Sequence, residues 1–239
     1  MPQTYSRRPQ SMSTLADNLS AISARIASAA QAAGREPASV QLLAVSKTKP
    51  ASAIREIHAA GMYHFGENYL QEALTKQQSL SDLPLIWHFI GPIQSNKTKA
   101  IAEHFDWVHS VDRLKIAQRL SEQRPAGLAP LNICLQVNVS GEDSKSGCAP
   151  ADLPALAQAV AALPNLRLRG LMAIPEPTDD RAAQEAAFAT LRQLQEGLGL
   201  GLDTLSMGMS HDLEAAIAQG ATWVRIGTAL FGARDYGHA

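Results

Sequence analysis

Residues 40–60 read VQLLAVSKTKPASAIREIHAA, one strand–loop–helix unit. The apolar run from Val40 to Val45 suits a strand buried on both faces, as in a parallel sheet. It ends abruptly at Ser46, passes Lys47 and Lys49 to reach Pro50, and gives way to a helical segment. A lysine at the exit of such a strand either snorkels to water or carries out chemistry. Which of the two applies to Lys47 depends on what the other strand ends carry.

The same unit recurs along the chain. MYHFGEN is followed by YLQEALTKQQ, LIWHFIG by QSNKTKAIAEH, and FDWVHSV by DRLKIAQRLSEQ. LNICLQVNVS precedes ADLPALAQAVAAL, LRLRGLMAI precedes DDRAAQEAAFATLRQLQEGL, and TLSMGM precedes SHDLEAAIAQG, while WVRIGTALFG closes the series. After an opening helix over residues 13–33, the chain is a strand followed by a helix eight times over. Alternation of this kind predicts an α/β fold with a parallel sheet and right-handed crossovers. Eight units predict a single closed (β/α)8 TIM-type barrel, and 239 residues is close to the ~250 typical of one. A doubly wound open sheet fits less well, because no GxGxxG follows the first strand and no surplus chain exists for a second domain. Residues 1–12 are expected to form a disordered leader, with Met12 as an alternative start, and residues 13–239 the barrel. The polar loop GEDSKSG after the fifth strand reads as an insertion at the rim.

Composition narrows the function. Lys plus Arg is 21 and Asp plus Glu is 22, a formal net charge of -1. That balance offers no field for gripping nucleic acid or an anionic membrane, so a bound anion needs a local site. The 2 cysteines, Cys134 and Cys148, suit neither a metal pair nor a disulfide framework. No stretch is apolar and long enough to span a bilayer. The paired Arg7 and Arg8 are followed by a polar, amphipathic segment and not by the apolar core of an export signal. A cytoplasmic location is expected.

In a barrel of this type functional groups sit at the carboxyl ends of the strands, and phosphate is often held by the loops after the seventh and eighth. Those loops read SMGMS (206–210) and RIGT (225–228). Glycine admits close backbone approach, and Ser and Thr add hydroxyl donors. Ser210 also precedes the helix DLEAAIAQG, whose free N–H groups and positive dipole end favour an anion, the bland alternative being that Ser210 is only an N-cap. Each feature alone is an ordinary turn; together, at the expected ends, they predict an anion site. The eighth strand neighbours the first in a closed barrel, so Arg225 and Lys47 can face one pocket. A lysine, an arginine and a phosphate cradle fit pyridoxal 5'-phosphate (PLP) held as a lysine Schiff base, with its ring nitrogen left for Arg225. A lysine near its ordinary pKa of ~10.4 is a poor nucleophile at neutral pH, and burial beside Arg225 would favour the free amine.

The blocks AVSKTKP, FGENYLQEA, WHFIGPIQSNK, VNVSGEDSKSG, LRGLMAIP and LSMGMSHDLEAAIAQGATWVRIGTALFG resemble the pyridoxal phosphate homeostasis protein family from about residue 13 to the end. That resemblance implies the fold of the amino-terminal barrel of alanine racemase, and PLP binding without substantial catalytic turnover. It implies Lys47 as the Schiff-base lysine, Ser206, Met207, Ser210, Gly227 and Thr228 in the phosphate loops, and Arg225 at the pyridine nitrogen. It further implies Asn68 and His88 as pocket residues. His211 departs from the acidic residue the family pattern leads one to expect there.

Other residues compete for these roles. Lys49 shares the parity of Lys47 but lies further out, directly before Pro50. Lys145, in the Gly- and Ser-rich loop, reads as a mobile surface lysine. His58, His104 and His109 lack the spacing of a metal site, so none is expected. His88, in an apolar strand, reads equally as a satisfied core histidine or a pocket wall. Trp87, Phe89, Trp107 and Trp223 are expected to fill core layers.

Two functions remain: a carrier that holds PLP and supplies apo PLP-dependent enzymes, and a PLP-dependent amino-acid racemase. Racemisation needs acid/base groups on both faces of the substrate. The opposing tyrosine of alanine racemase comes from a second domain for which this sequence shows no candidate; the late Tyr236 sits in a short tail. An arginine opposite the ring nitrogen also weakens the ring as an electron sink. The expectation is therefore a non-enzymatic, monomeric carrier. An aldolase-like enzyme acting on a sugar phosphate would share the lysine and the phosphate loops but not the family blocks.

Overall fold

The computed structural model describes residues 14–141, 143 and 146–232; the expected leader, Lys145 and Tyr236 lie outside the described residues. Eight parallel strands close on themselves in chain order. They are β1 (Gln41–Val45), β2 (His64–Glu67), β3 (Ile86–Phe89), β4 (Trp107–Val111), β5 (Leu131–Gln136), β6 (Leu166–Met172), β7 (Thr204–Ser206) and β8 (Trp223–Ile226). The predicted (β/α)8 barrel is what the chain forms.

The opening helix α1 (Leu15–Ala32) precedes the barrel. Its start is a capping box: the Asp17 N–H donates to Thr14 Oγ1, and the Thr14 N–H donates to Asp17 Oδ2, both at 3.1 Å. Its buried stripe is Leu19, Ile22, Ile26 and Ala30, and the helix packs where the first and last units of the barrel meet. The neighbours there are α2 (Ala51–Ala59), α8 (Leu213–Ala218) and α9 (Thr228–Phe231). The other crossovers are α3 (Leu70–Ser79), α4 (Thr98–His104), α5 (Leu114–Gln123), α6 (Leu153–Ala161) and α7 (Arg181–Leu198). The last of these is capped by Asp180 and stops at Gly199, whose φ of 64° favours glycine. Among the described residues no helix is long and apolar enough to cross a membrane.

Along the strands, residues alternate between the barrel axis and the helix layer, as the two-residue strand period requires. Ala44, Phe65, Phe89, Val108, Ile133 and Leu171 face outward into one large apolar cluster. Leu43, Val45, Ile90, Trp107, Met172 and Trp223 form a smaller cluster within the barrel. The expected core tryptophans and Phe89 thus divide between layers: Trp107 and Trp223 inside, Trp87 and Phe89 beneath the helices. A barrel interior is ordinarily filled by bulky branched side chains. Here His88, His109, Ser206 and Arg225, all buried, interrupt that filling. Buried polar groups in a core cost stability unless each is paired, so their bonding partners matter.

Candidate functional site

The carboxyl ends of the strands surround a cavity of about 250 Å³. Of the residues singled out in the sequence, Lys47, Asn68, Ser210, Arg225, Gly227 and Thr228 line it. The register of β1 against β8 pairs Leu43 with Arg225 and Ala44 with Ile226, which brings the ends carrying Lys47 and Arg225 side by side. Lys47 continues the inward parity of Leu43 and Val45. It is half-buried in a four-residue turn closed by the Lys49 N–H on the Ser46 carbonyl at 3.1 Å. Lys49 reaches the same cavity.

Arg225 is 4% exposed. Its Nη1 donates to Ser206 Oγ at 2.8 Å and its Nη2 to the Ala173 carbonyl at 2.9 Å. Burial lowers its pKa to about 10, with Asp212 opposing, so the guanidinium stays charged at neutral pH. Behind it runs a hydrogen-bonded chain through the barrel. His109 Nδ1 lies 2.7 Å from Ser206 Oγ, His88 Nδ1 2.8 Å from His109 Nε2, and His64 Nδ1 2.9 Å from His88 Nε2. Arg225 can only donate, so Ser206 Oγ accepts from it and has its own proton to place. Giving that proton to His109 Nδ1 leaves every member satisfied; the reverse polarity would strand a buried hydroxyl proton. His109 and His88 are therefore assigned neutral with the proton on Nε2. Burial enforces neutrality, lowering the His109 pKa to about 3 and that of His88 well below its ordinary value.

Three expected pocket residues fall elsewhere. His88 is fully buried within this chain, stacked 5.4 Å from Trp107, and does not reach the cavity. Ser206 lies beneath Arg225 and is consumed by the bonds just described. Met207 faces the helix layer, because it follows the inward-facing Ser206 on the strand. Its N–H is occupied by the Trp223 carbonyl at 3.1 Å. The methionine that does line the cavity is Met209, with Ile90 and Ile174 as further apolar walls.

Ser210 lines the cavity, but it is not the N-cap of α8. That helix begins later, with Asp212 in the capping position. Asp212 instead orders the loop, its Oδ1 accepting from the Met209 N–H at 2.7 Å. From α1, Arg25 pairs with Glu214 and donates to the Ser210 carbonyl at 3.0 Å. Gly208 is required by packing: at φ 99° a Cβ would lie 2.6 Å from that of Ala216. Gly227 is different, since an added Cβ would meet nothing closer than Val45 at 3.5 Å. At the end of β2, Asn68 Oδ1 is buried without a hydrogen-bond partner. His211 stands exposed at the rim, 3.4 Å from Asp212. Of the histidines considered as metal ligands, His58 bonds the Met62 carbonyl at 2.8 Å and His109 is part of the buried chain. No group able to hold a metal ion occurs among the described residues.

Comparison with known proteins shows the fold and the family. Residues 18–235 match the family model for the alanine racemase N-terminal domain. The pyridoxal phosphate homeostasis protein of Pseudomonas aeruginosa is 80% identical over 226 residues, covering 95% of this chain and 98% of that protein. The protein of the same name from Escherichia coli K12 is 55% identical over 234 residues, covering 94% and 99%. Among solved structures, PipY of Synechococcus elongatus PCC7942 with PLP bound superposes with a TM-score of 0.82. It is 43% identical, with 92% of this chain and 100% of that one covered. Alanine racemase from Corynebacterium glutamicum, at 19% identity and a TM-score of 0.65, shares the fold; 92% of this chain covers 63% of it.

Proposed function

The chain belongs to the pyridoxal phosphate homeostasis protein family, and from that premise we propose that it holds PLP on Lys47 and releases it to enzymes that need it. The observation that carries this reading is the convergence of Lys47, Arg225 and the two Ser/Gly/Thr loops on one cavity. The cofactor, when bound, supplies an aldehyde able to condense with a primary amine, a phosphate, and an aromatic ring bearing a nitrogen and a hydroxyl.

The residues present suit each of these groups. Lys47 offers the amine. Arg225, with two N–H groups already committed, has only donors left to offer, so a ring nitrogen beside it must accept and stay unprotonated. Ser210 and Thr228 bring hydroxyl donors to the cavity. Packing within the chain does not require a glycine at 227, and close approach of a ligand oxygen would account for it. Asn68 Oδ1, an acceptor without a donor, suits the ring hydroxyl. The apolar walls from Ile90, Ile174 and Met209 suit an aromatic ring.

The same features argue for a carrier over a racemase. Donation from Arg225 leaves the ring a weak electron sink, and among the described residues the cavity presents no tyrosine or carboxylate opposite Lys47. Both cysteines are free and buried, which accords with action in the cytoplasm. The test is to mix the loaded protein with an apo PLP-dependent enzyme. Reconstituted enzyme activity with matching loss of colour from the carrier is expected. Retention of the cofactor by this protein would contradict release.

A further inference from the structure

Thr48, immediately after Lys47, has a φ of 63°. A β-branched residue in the left-handed region is strained, and the third position of a turn with positive φ ordinarily goes to glycine or asparagine. Something must therefore hold the turn that carries Lys47. The Thr48 N–H donates to Glu72 Oε1 at 2.6 Å, and Lys76 Nζ donates to the Ser46 carbonyl at 2.7 Å. The peptide groups on both sides of Lys47 are thus fastened by side chains of α3.

These two residues are themselves locked. Lys76 Nζ also donates to Glu67 Oε1 and forms an ion pair with Glu72 Oε1, each at 2.7 Å, so its ammonium is paired with both carboxylates. Ser46 Oγ donates to Glu67 Oε1 at 3.0 Å. The side chain of Lys76 is 7% exposed and that of Glu67 fully buried. Withdrawing the ammonium would leave a buried carboxylate unpaired, which is strongly unfavourable. Buried ion pairs of this kind add little net stability, so fixing a conformation explains them better than strength does. On β2, Glu67 faces this cluster while its neighbour Asn68 faces the cavity.

We propose that Glu72 and Lys76, seated by Glu67, are positioning residues for Lys47: they clamp its two flanking peptides and hold the strained turn that aims its side chain into the cavity. The inference rests on the reading of Lys47 as the cofactor-bearing amine. Without the clamp, Thr48 is free to leave the left-handed region, and the fraction of protein with Lys47 in place falls.

Glu72 is the member to remove, because its side chain is 30% exposed and its loss leaves Lys76 still paired with Glu67. The full-length protein, Glu72→Ala, and Glu72→Ala with Thr48→Gly would be compared by the rate of PLP uptake in visible absorbance. Borohydride reduction and peptide mapping would identify the lysine labelled, and hydrogen exchange without cofactor would follow the Thr48 amide. Glu72→Ala is expected to slow uptake by about tenfold and to speed Thr48 exchange, with the label still on Lys47. Adding Thr48→Gly should recover most of the rate, because glycine adopts the turn without strain. An unchanged rate with the label on Lys47, or a slowed rate that glycine does not recover, would overturn the clamp and leave the Lys47 reading standing. A label on another lysine in the unmodified protein would instead remove that reading, and the clamp with it.

Discussion

Arg225 donates to the hydroxyl of Ser206 at 2.8 Å, on the adjacent strand, and this single bond sets the polarity of the histidine chain behind it. The Ser206 hydroxyl donates to His109, which must donate to His88, which must donate to His64. The cavity's cation is thereby seated on a row of neutral imidazoles. Protonating any of them would place a second positive charge beside Arg225 or reverse a buried bond.

That arrangement makes the fold acid-sensitive. An imidazole whose pKa falls on folding is neutral in the folded chain and protonated in the unfolded one between the two values. The unfolded chain then binds more protons, so stability falls as pH falls from about 6.5 toward 3. Near pH 4.5 the penalty from His109 alone is about 3 kcal/mol, and His88 acts in the same direction. Glu67, whose pKa burial raises, acts in the opposite sense, and it is common to any pair of proteins compared. Urea unfolding near pH 7.5 and near pH 4.5 should show a smaller loss in His109→Gln than in the unmodified protein. Equal losses would mean that His109 is not held neutral.

The Ser210 and Thr228 hydroxyls should matter to phosphate alone. Hydrogen bonds to a charged group contribute ~1.5–3 kcal/mol each. Ser210→Ala with Thr228→Val is therefore expected to weaken PLP binding by one to a few orders of magnitude, at most ~3–6 kcal/mol if the two add. Binding of unphosphorylated pyridoxal should be nearly unaffected. Equal losses for both ligands would exclude these loops as the phosphate site.

Turnover of amino acids should be far below that of an enzyme. The titratable groups lining the cavity are Lys47, Lys49, His211 and Arg225, and absence of a positioned acid/base partner typically removes ~10²–10⁴-fold in rate. Loaded protein incubated with single-enantiomer alanine should preserve optical purity beside an alanine racemase control. A rate comparable to the control would restore the racemase reading.

The barrel was legible because each strand announces itself by an apolar run and each exit by polar residues. Lys47 and Arg225 were legible for the same reason, since strand parity carries both to the inner face. Parity also explains where the reading failed. Ser206 points inward, so Met207 must point outward, and the cavity is reached again only at Met209. The bland alternative for Ser210, a helix cap, does not apply, because Asp212, two residues on, takes the capping position of α8. His88 could be placed in the barrel, but its bonds to His64 and His109 depend on cross-strand register, which one strand's residues do not encode. Glu72 and Lys76 drew no attention in the sequence, because only the close approach of α3 to the turn after β1 makes them a clamp.

The most direct measurement is the identity of the lysine that bears the cofactor. Protein loaded with PLP would be reduced with borohydride, digested, and mapped by mass spectrometry. Both Lys47 and Lys49 reach the cavity, and they fall on opposite sides of the Thr48 peptide, so fragmentation separates them. The pyridoxyl group is expected on Lys47, with Lys47→Ala losing the colour and Lys49→Ala keeping it. The label on Lys49, with colour surviving Lys47→Ala, would contradict that assignment.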